Sequence, residues 1–137
     1  MPEEPTTPDL AALAQQFADT VSAGEIDALG SFYAPDAVLF RQLDTLGGRA
    51  AIRGFYEDWV GAYEDLEFDI DETRDLGRGV GFVVFAWRGR LPGSRGWLDI
   101  RVAAVLTLAD GLIEWQRNYL DIDEARAAAE RLAEERG

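Results

Sequence analysis

The sequence predicts an α+β domain in which three N-terminal helices pack on a strongly curved, mostly antiparallel sheet, with a further helix at the C-terminus, giving a cone-like barrel. Apolar residues recur at helical spacing as far as Tyr63, and from Leu66 onward the period changes to the alternation of strands. Four strand-like runs then follow one another across the short turns Gly77-Arg78-Gly79, LPGSRG and Asp110-Gly111, so consecutive runs are antiparallel neighbours.

Thr7, Pro8 and Asp9 read as a helix start: a capping hydroxyl, a proline at the first helical position and a carboxylate near the positive end of the dipole. Leu10, Leu13, Ala14, Phe17 and Val21 make the inner face of a helix over 8–22, which Ala23-Gly24 ends. A second, shorter helix is expected from Glu25 to Tyr33. Pro35-Asp36 then turns the chain into a short strand, Ala37 to Phe40, closed by Arg41. Gly47-Gly48 breaks the chain before the clearest amphipathic helix, from about Arg49 to Tyr63, with Ile52, Phe55, Tyr56, Trp59, Val60 and Tyr63 inward.

Leu66, Phe68 and Ile70 alternate with Glu67, Asp69 and Asp71, a strand with one wet face; VGFVVFAWRGR, GWLDIRVAAVLTL and LIEWQRNYL are the next three. Residues 123–136 form a helix whose thin stripe of Ala125, Ala128, Ala129 and Leu132 is expected to dock weakly. Residues 1–8 read as a loose tail and 9–137 as a single domain.

A chain of 137 residues buries roughly two-thirds of its unfolded surface. Its formal charge is −13, with 26 acidic side chains against 13 basic ones, all arginine, which makes nucleic acid and anionic membranes poor partners. The N-terminus lacks the basic-then-apolar order of a signal peptide, no apolar run approaches a membrane span, and there is no cysteine; a cytoplasmic protein is expected.

Without histidine or cysteine there is no Ser-His-Asp triad, thiol nucleophile or His-ligated metal, and without lysine no side-chain Schiff base or Walker loop. Carboxylates, tyrosines, arginines and amides remain, and neither a metal nor a cofactor is expected. The acids from Glu64 to Asp75 lack EF-hand spacing and mark a solvent face, and GRGVG is a hairpin turn.

Gly24-Glu25-Ile26 between helices, SFYAPDAVLF, the Gly-Arg opening of the helix carrying Ile52, Phe55 and Tyr56, and DGLIEWQRNYLD occur in the order found in one superfamily. The chain resembles, over about residues 9–132, the ketosteroid isomerase, nuclear transport factor two and SnoaL-like polyketide cyclase group. That resemblance implies the cone fold with a ligand pocket at its mouth. Carried over by position, the isomerase's aspartate base falls on Arg41, its oxyanion tyrosine on Phe17 and its oxyanion aspartic acid on Ala104; supporting tyrosines survive at Tyr33 and Tyr56. For the limonene-type epoxide hydrolases, the Arg and Asp fall on Val84 and Ala86 and the remaining Asp on Asn118. An arginine accepts no proton and an asparagine deprotonates nothing.

The register implied by the resemblance places Val83, Phe85, Val102, Ala104, Leu106, Gln116, Asn118 and Leu120 on the pocket side, with Phe17, Tyr33 and Tyr56 nearby. Gln116 and Asn118 face solvent instead if the last strand slips by one residue. Arg41 either closes a surface strand, paired with Asp36 or Asp44, or points into the pocket and holds an anionic oxygen. Asp44 is the one carboxylate near the mouth and the candidate base, with a plain turn-forming role as the alternative.

A hydrophobic small molecule is the expected ligand, and isomerase, cyclase or hydrolase chemistry the candidate activity. A non-catalytic ligand- or protein-binding module is the rival. The opposite face, with Val84, Ala86, Ala103, Val105, Trp115 and Tyr119, needs cover, and a homodimer packed through this outer sheet face is expected to supply it.

Overall fold

The computed structural model describes residues 10–136. The proposed start at Thr7, Pro8 and Asp9 and the tail over 1–8 lie outside the described residues. In chain order the elements are α1 (Leu10–Ala23), α2 (Ile26–Gly30), β1 (Tyr33–Phe40), β2 (Thr45–Gly47), α3 (Arg49–Gly61), β3 (Asp65–Gly77), β4 (Val80–Arg90), β5 (Leu98–Ala109), β6 (Leu112–Tyr119) and α4 (Ile122–Glu135). The six strands form one sheet in the order β2-β1-β6-β5-β4-β3. Every pairing is antiparallel except β1 with β6. This is the α+β cone expected from the sequence.

The second helix is shorter than its periodicity suggests. The backbone N–H groups of Ser31 and Phe32 close its last turn on Ala28 and Leu29, and Tyr33 opens β1 opposite Ile113. Pro35 and Asp36 do not turn the chain but sit inside β1, where the register against β6 shifts between Tyr33 and Val38. A residue without an N–H fits such an irregularity, because no ladder bond is asked of it. β2, three residues long, is too short to leave a periodic signal.

Irregularities bend the sheet. β3 shifts register twice, between Ile70 and Glu72 and between Asp75 and Gly77. Between β5 and β6, Leu108 pairs with Ile113 but Thr107 pairs with Trp115, so Glu114 of β6 is skipped. Side chains alternate along a strand, and the extra residue changes the phase. Ile113 belongs to the inner core, Trp115 packs on the outer one, and Gln116 is inward again.

Two apolar layers result. The inner one packs α1 and α3 on the concave face through Phe17, Leu29, Tyr33, Leu39, Ile52, Phe68 and Phe85. The outer one joins Phe82, Val84, Ala103 and Val105 to Ala125 and Ala129 of α4. The expectation of weak docking is corrected here: alanines let the helix axis approach the sheet, and both are wholly buried. Asp121 caps the helix by accepting from the Glu124 N–H at 3.0 Å. Arg126 donates to both oxygens of Glu72 on β3, at 2.7 and 3.1 Å, and lies over the Phe82 ring. α4 thus covers Phe82, Val84, Ala103 and Val105 on the outer face, where Trp115 and Tyr119 are only partly buried.

Close approach leaves no room for a larger side chain. Ala129→Leu is expected to lower stability by about 1–3 kcal/mol through overpacking, whereas Ala127→Leu on the exposed side stays within about 0.5 kcal/mol. Urea unfolding midpoints at unchanged slope measure both.

Candidate functional site

The Gly-Arg pair that opens α3 positions the site. Gly48 has φ 92°, a left-handed value that suits glycine, and donates its N–H to the Ala37 carbonyl at 2.7 Å. Arg49 forks onto the Tyr33 carbonyl, Nε at 2.9 Å and Nη2 at 2.7 Å. The helix start is thereby held against β1. About two turns further on, the Tyr56 hydroxyl reaches the Tyr33 hydroxyl at 3.0 Å.

Tyr33 donates its only proton to Gln116 Oε1 at 2.8 Å, so Tyr56 must be the donor in the contact between the phenols. Gln116 Nε2 then donates to Asn118 Oδ1 at 2.8 Å. One directed chain links α3, β1 and β6. Burial, and then the neighbouring Tyr56, push the Tyr33 phenol well above its ordinary range. Burial pushes Tyr56 up to about 12, against the opposing bond from Tyr33 and the nearby charge of Arg41.

Beside this chain opens a cavity of about 440 Å³. Phe17 of α1, Phe55, Tyr56 and Trp59 of α3, Phe68 of β3, and Phe85 and Trp87 of β4 form aromatic walls. Ile100 and Val102 of β5 and Gln116 and Asn118 of β6 complete them, while Arg41, Gln42, Leu43 and Leu120 also line the space. The rings brace one another edge to face, as Trp59 does Trp87 at 5.2 Å and 88°.

Ala37 and Leu39 face inward, and the alternation carries Arg41 to the same side. Its Nε and Nη2 donate to Asp44 Oδ1 and Oδ2 at 2.7 and 2.6 Å, its backbone N–H bonds the Asp44 carbonyl at 2.9 Å, and its Cζ lies 4.0 Å above the Phe55 ring. Both readings of Arg41 therefore hold together: it lines the cavity and it pairs with Asp44. The bonded guanidinium keeps the Asp44 carboxyl below the usual carboxylate range, and Asp44 in turn raises Arg41. Asp44 is not among the cavity-lining residues.

Of the expected ligand contacts, Phe17, Tyr56, Phe85, Val102, Gln116 and Asn118 come together in the wall. Four do not. Tyr33 lies behind Tyr56 as its acceptor; Val83 and Leu106 line a smaller void of about 20 Å³ beneath α1, which Leu10, Leu13 and Ala14 cover; Ala104, wholly buried, lines neither space. Val83 and Leu106 are set apart because α1 packs on that end of the concave face, and Ala104 because it sits within the inner core. Trp87 and Ile100 were missed although each continues an expected face by one further period, from Phe85 and Val102. Phe55 and Trp59 on the inward face of the third helix, and Phe68 on the dry face of its strand, also line the cavity, which periodicity alone does not distinguish from core. Gln42 and Leu43, at the turn between β1 and β2, carried no signal.

Residues 14–115 match the SnoaL-like domain family, and the chain belongs to it. A protein from Catenulispora acidiphila with a ketosteroid isomerase-like fold, solved in complex with trimethylamine, superposes with TM-score 0.71 at 18% identity over 90% of this chain and 94% of that one. A putative polyketide cyclase from Sinorhizobium meliloti gives 0.67 at 24% over 83% and 99%. SalBIII, an epoxide hydrolase/cyclase-like enzyme of pyran ring formation in the polyether salinomycin, gives 0.68 at 21% over 80% and 88%. At these identities the likeness shows the fold. No curated protein gives a significant sequence match. Among the described residues, no helix is long and apolar enough to cross a membrane.

The folded state holds the Tyr56 proton more tightly than the unfolded chain, so the associated stability is present below pH 10.0 and lost as pH rises towards about 12. For Tyr56 this amounts to roughly 3 kcal/mol at most, and Tyr33 acts in the same direction. Urea midpoints measured across this alkaline range should fall steeply, and Tyr56→Phe should make the fall shallower.

Proposed function

We propose that this SnoaL-like domain binds a largely hydrophobic small molecule in the cavity enclosed by α1, α3 and the concave sheet. The carrying observation is the open space of about 440 Å³ walled by seven aromatic rings, within the roughly 300–1,000 Å³ of small-molecule sites. Aromatic walls reward a flat or ring-containing ligand, and the few polar groups orient it.

The polar groups favour binding and electrostatic stabilisation over proton abstraction. Arginine and the two amides do not exchange protons near neutrality, and the wall phenol of Tyr56 is held at about 12. Asp44 serves better as the anchor of Arg41 than as a base, since both its oxygens accept from the guanidinium and its basicity is lowered. Cyclase, isomerase or hydrolase activity, in keeping with the names of the structural relatives, would rest on polarising a ligand oxygen.

The test is a panel of ketosteroids, epoxides and polyketide lactones, followed by calorimetry and by product analysis. At least one class is expected to bind the native protein, and Val102→Trp, which fills the cavity from β5, should weaken binding by about tenfold or more at an unchanged melting temperature. Unaltered affinity in that variant would place the ligand elsewhere. Binding without turnover would identify a sequestering module, and turnover should fall in Arg41→Ala and Asp44→Asn.

A further inference from the structure

We infer that the ligand carries an anionic oxygen, a carboxylate, enolate or phenolate, received by Asn118 Nδ2 and Arg41 Nη1; this rests on the small-molecule reading above. The argument is an account of protons. Tyr56 gives its proton to Tyr33, which gives its own to Gln116 Oε1. Gln116 Nε2 donates to Asn118 Oδ1, and Gln42 Nε2 to the Asn118 carbonyl at 3.1 Å. Arg41 commits Nε and Nη2 to Asp44.

Among the described residues, the indole N–H groups of Trp59 and Trp87 in the wall make no hydrogen bond, and of the polar chain itself what is left unspent is the Asn118 Nδ2 amide and the Arg41 Nη1 group. Both are donors, and both residues line the cavity. The remaining acceptors, Gln42 Oε1 and a lone pair on Tyr56, are neutral. Among the described residues no carboxylate lines the space, and Asp44 has both oxygens on the Arg41 guanidinium, so a ligand cation would meet Arg41 with no carboxylate facing it from the wall. Aromatic faces do attract cations, but the Phe55 face already carries the Arg41 guanidinium at 4.0 Å. An oxyanion, by contrast, accepts charge-assisted bonds from donors whose directions are already fixed, Asn118 by Gln116 and Arg41 by Asp44.

Three probes sharing one ring system separate the cases: naphthoate, methylnaphthalene and naphthylmethylammonium, titrated calorimetrically into the full chain at neutral pH. Naphthoate should bind about tenfold tighter than methylnaphthalene, as one charge-assisted hydrogen bond provides, and the ammonium weakest of all. Asn118→Leu and Arg41→Met should each remove that preference while leaving methylnaphthalene within about twofold. The native protein's own ranking is decisive even if a variant fails to fold. Equal affinities, or tightest binding of the ammonium, overturn the inference and leave the hydrophobic-ligand reading standing. Failure of all three to bind, together with failure of the wider ligand panel, removes both.

Discussion

Tyr33 is wholly buried, yet it carries a polar group at each end that water cannot reach. Leaving such a group unpaired costs about 1–3 kcal/mol, and the structure around it follows from avoiding that cost. Its carbonyl takes the fork of Arg49, which fixes where α3 begins. Its hydroxyl takes Tyr56 and gives to Gln116, which fixes the depth of α3 and the phase of β6. A regular β6 with Ile113 inward would have turned Trp115 in and Gln116 out. The bulge at Glu114 reverses this, so the amide wall of the cavity and the satisfaction of one phenol are the same structural fact.

The two faces of the sheet solve opposite packing problems. On the convex side α4 presents alanines, and the gap closes. On the concave side the facing residues are rings that meet edge to face and stop one another from collapsing inward. Trp59 alone contacts Phe55, Tyr56, Tyr63, Phe68 and Trp87. Phe17 is a second hub, against Phe32, Tyr33, Tyr56, Phe68 and Phe85. A cavity persists because rigid plates cannot fill a cone as branched aliphatic side chains would.

The cone was legible because long elements advertise their period. α3, β4 and β5 were placed within a residue or two, and the inward set on β4 and β5 was correct as to face. What stayed hidden depends on contacts between residues far apart in the chain. Tyr33 fits the spacing of the preceding helix, and only pairing with Ile113 moves it to a strand. Gln116 faces inward, as the resemblance implied, but through a bulge at Glu114 that alternation cannot show. Val83 and Leu106 lie on the expected face but beneath α1, since periodicity gives the side of a sheet and not what covers it. The weak apolar stripe of α4 concealed how closely alanine lets a helix approach.

Electrostatics gives the site its direction. The chain carries −13 overall, yet among the described residues the only charged one lining the cavity is Arg41. Arg41 and the amides of Gln116 and Asn118 give the wall donors rather than a base. At a distance the acidic surface opposes an anion, but that field is screened within about 8–10 Å at ordinary ionic strength. Between aromatic walls the local dielectric is lower, and the nearest charge dominates. Asp44 does not cancel this preference. It engages one edge of the guanidinium at the turn between β1 and β2, sets its plane above Phe55, and leaves the other edge to an acceptor supplied by the ligand. On the proposed reading, selectivity belongs to the interior of the cone, in donors aligned by residues that do not themselves need to touch the ligand.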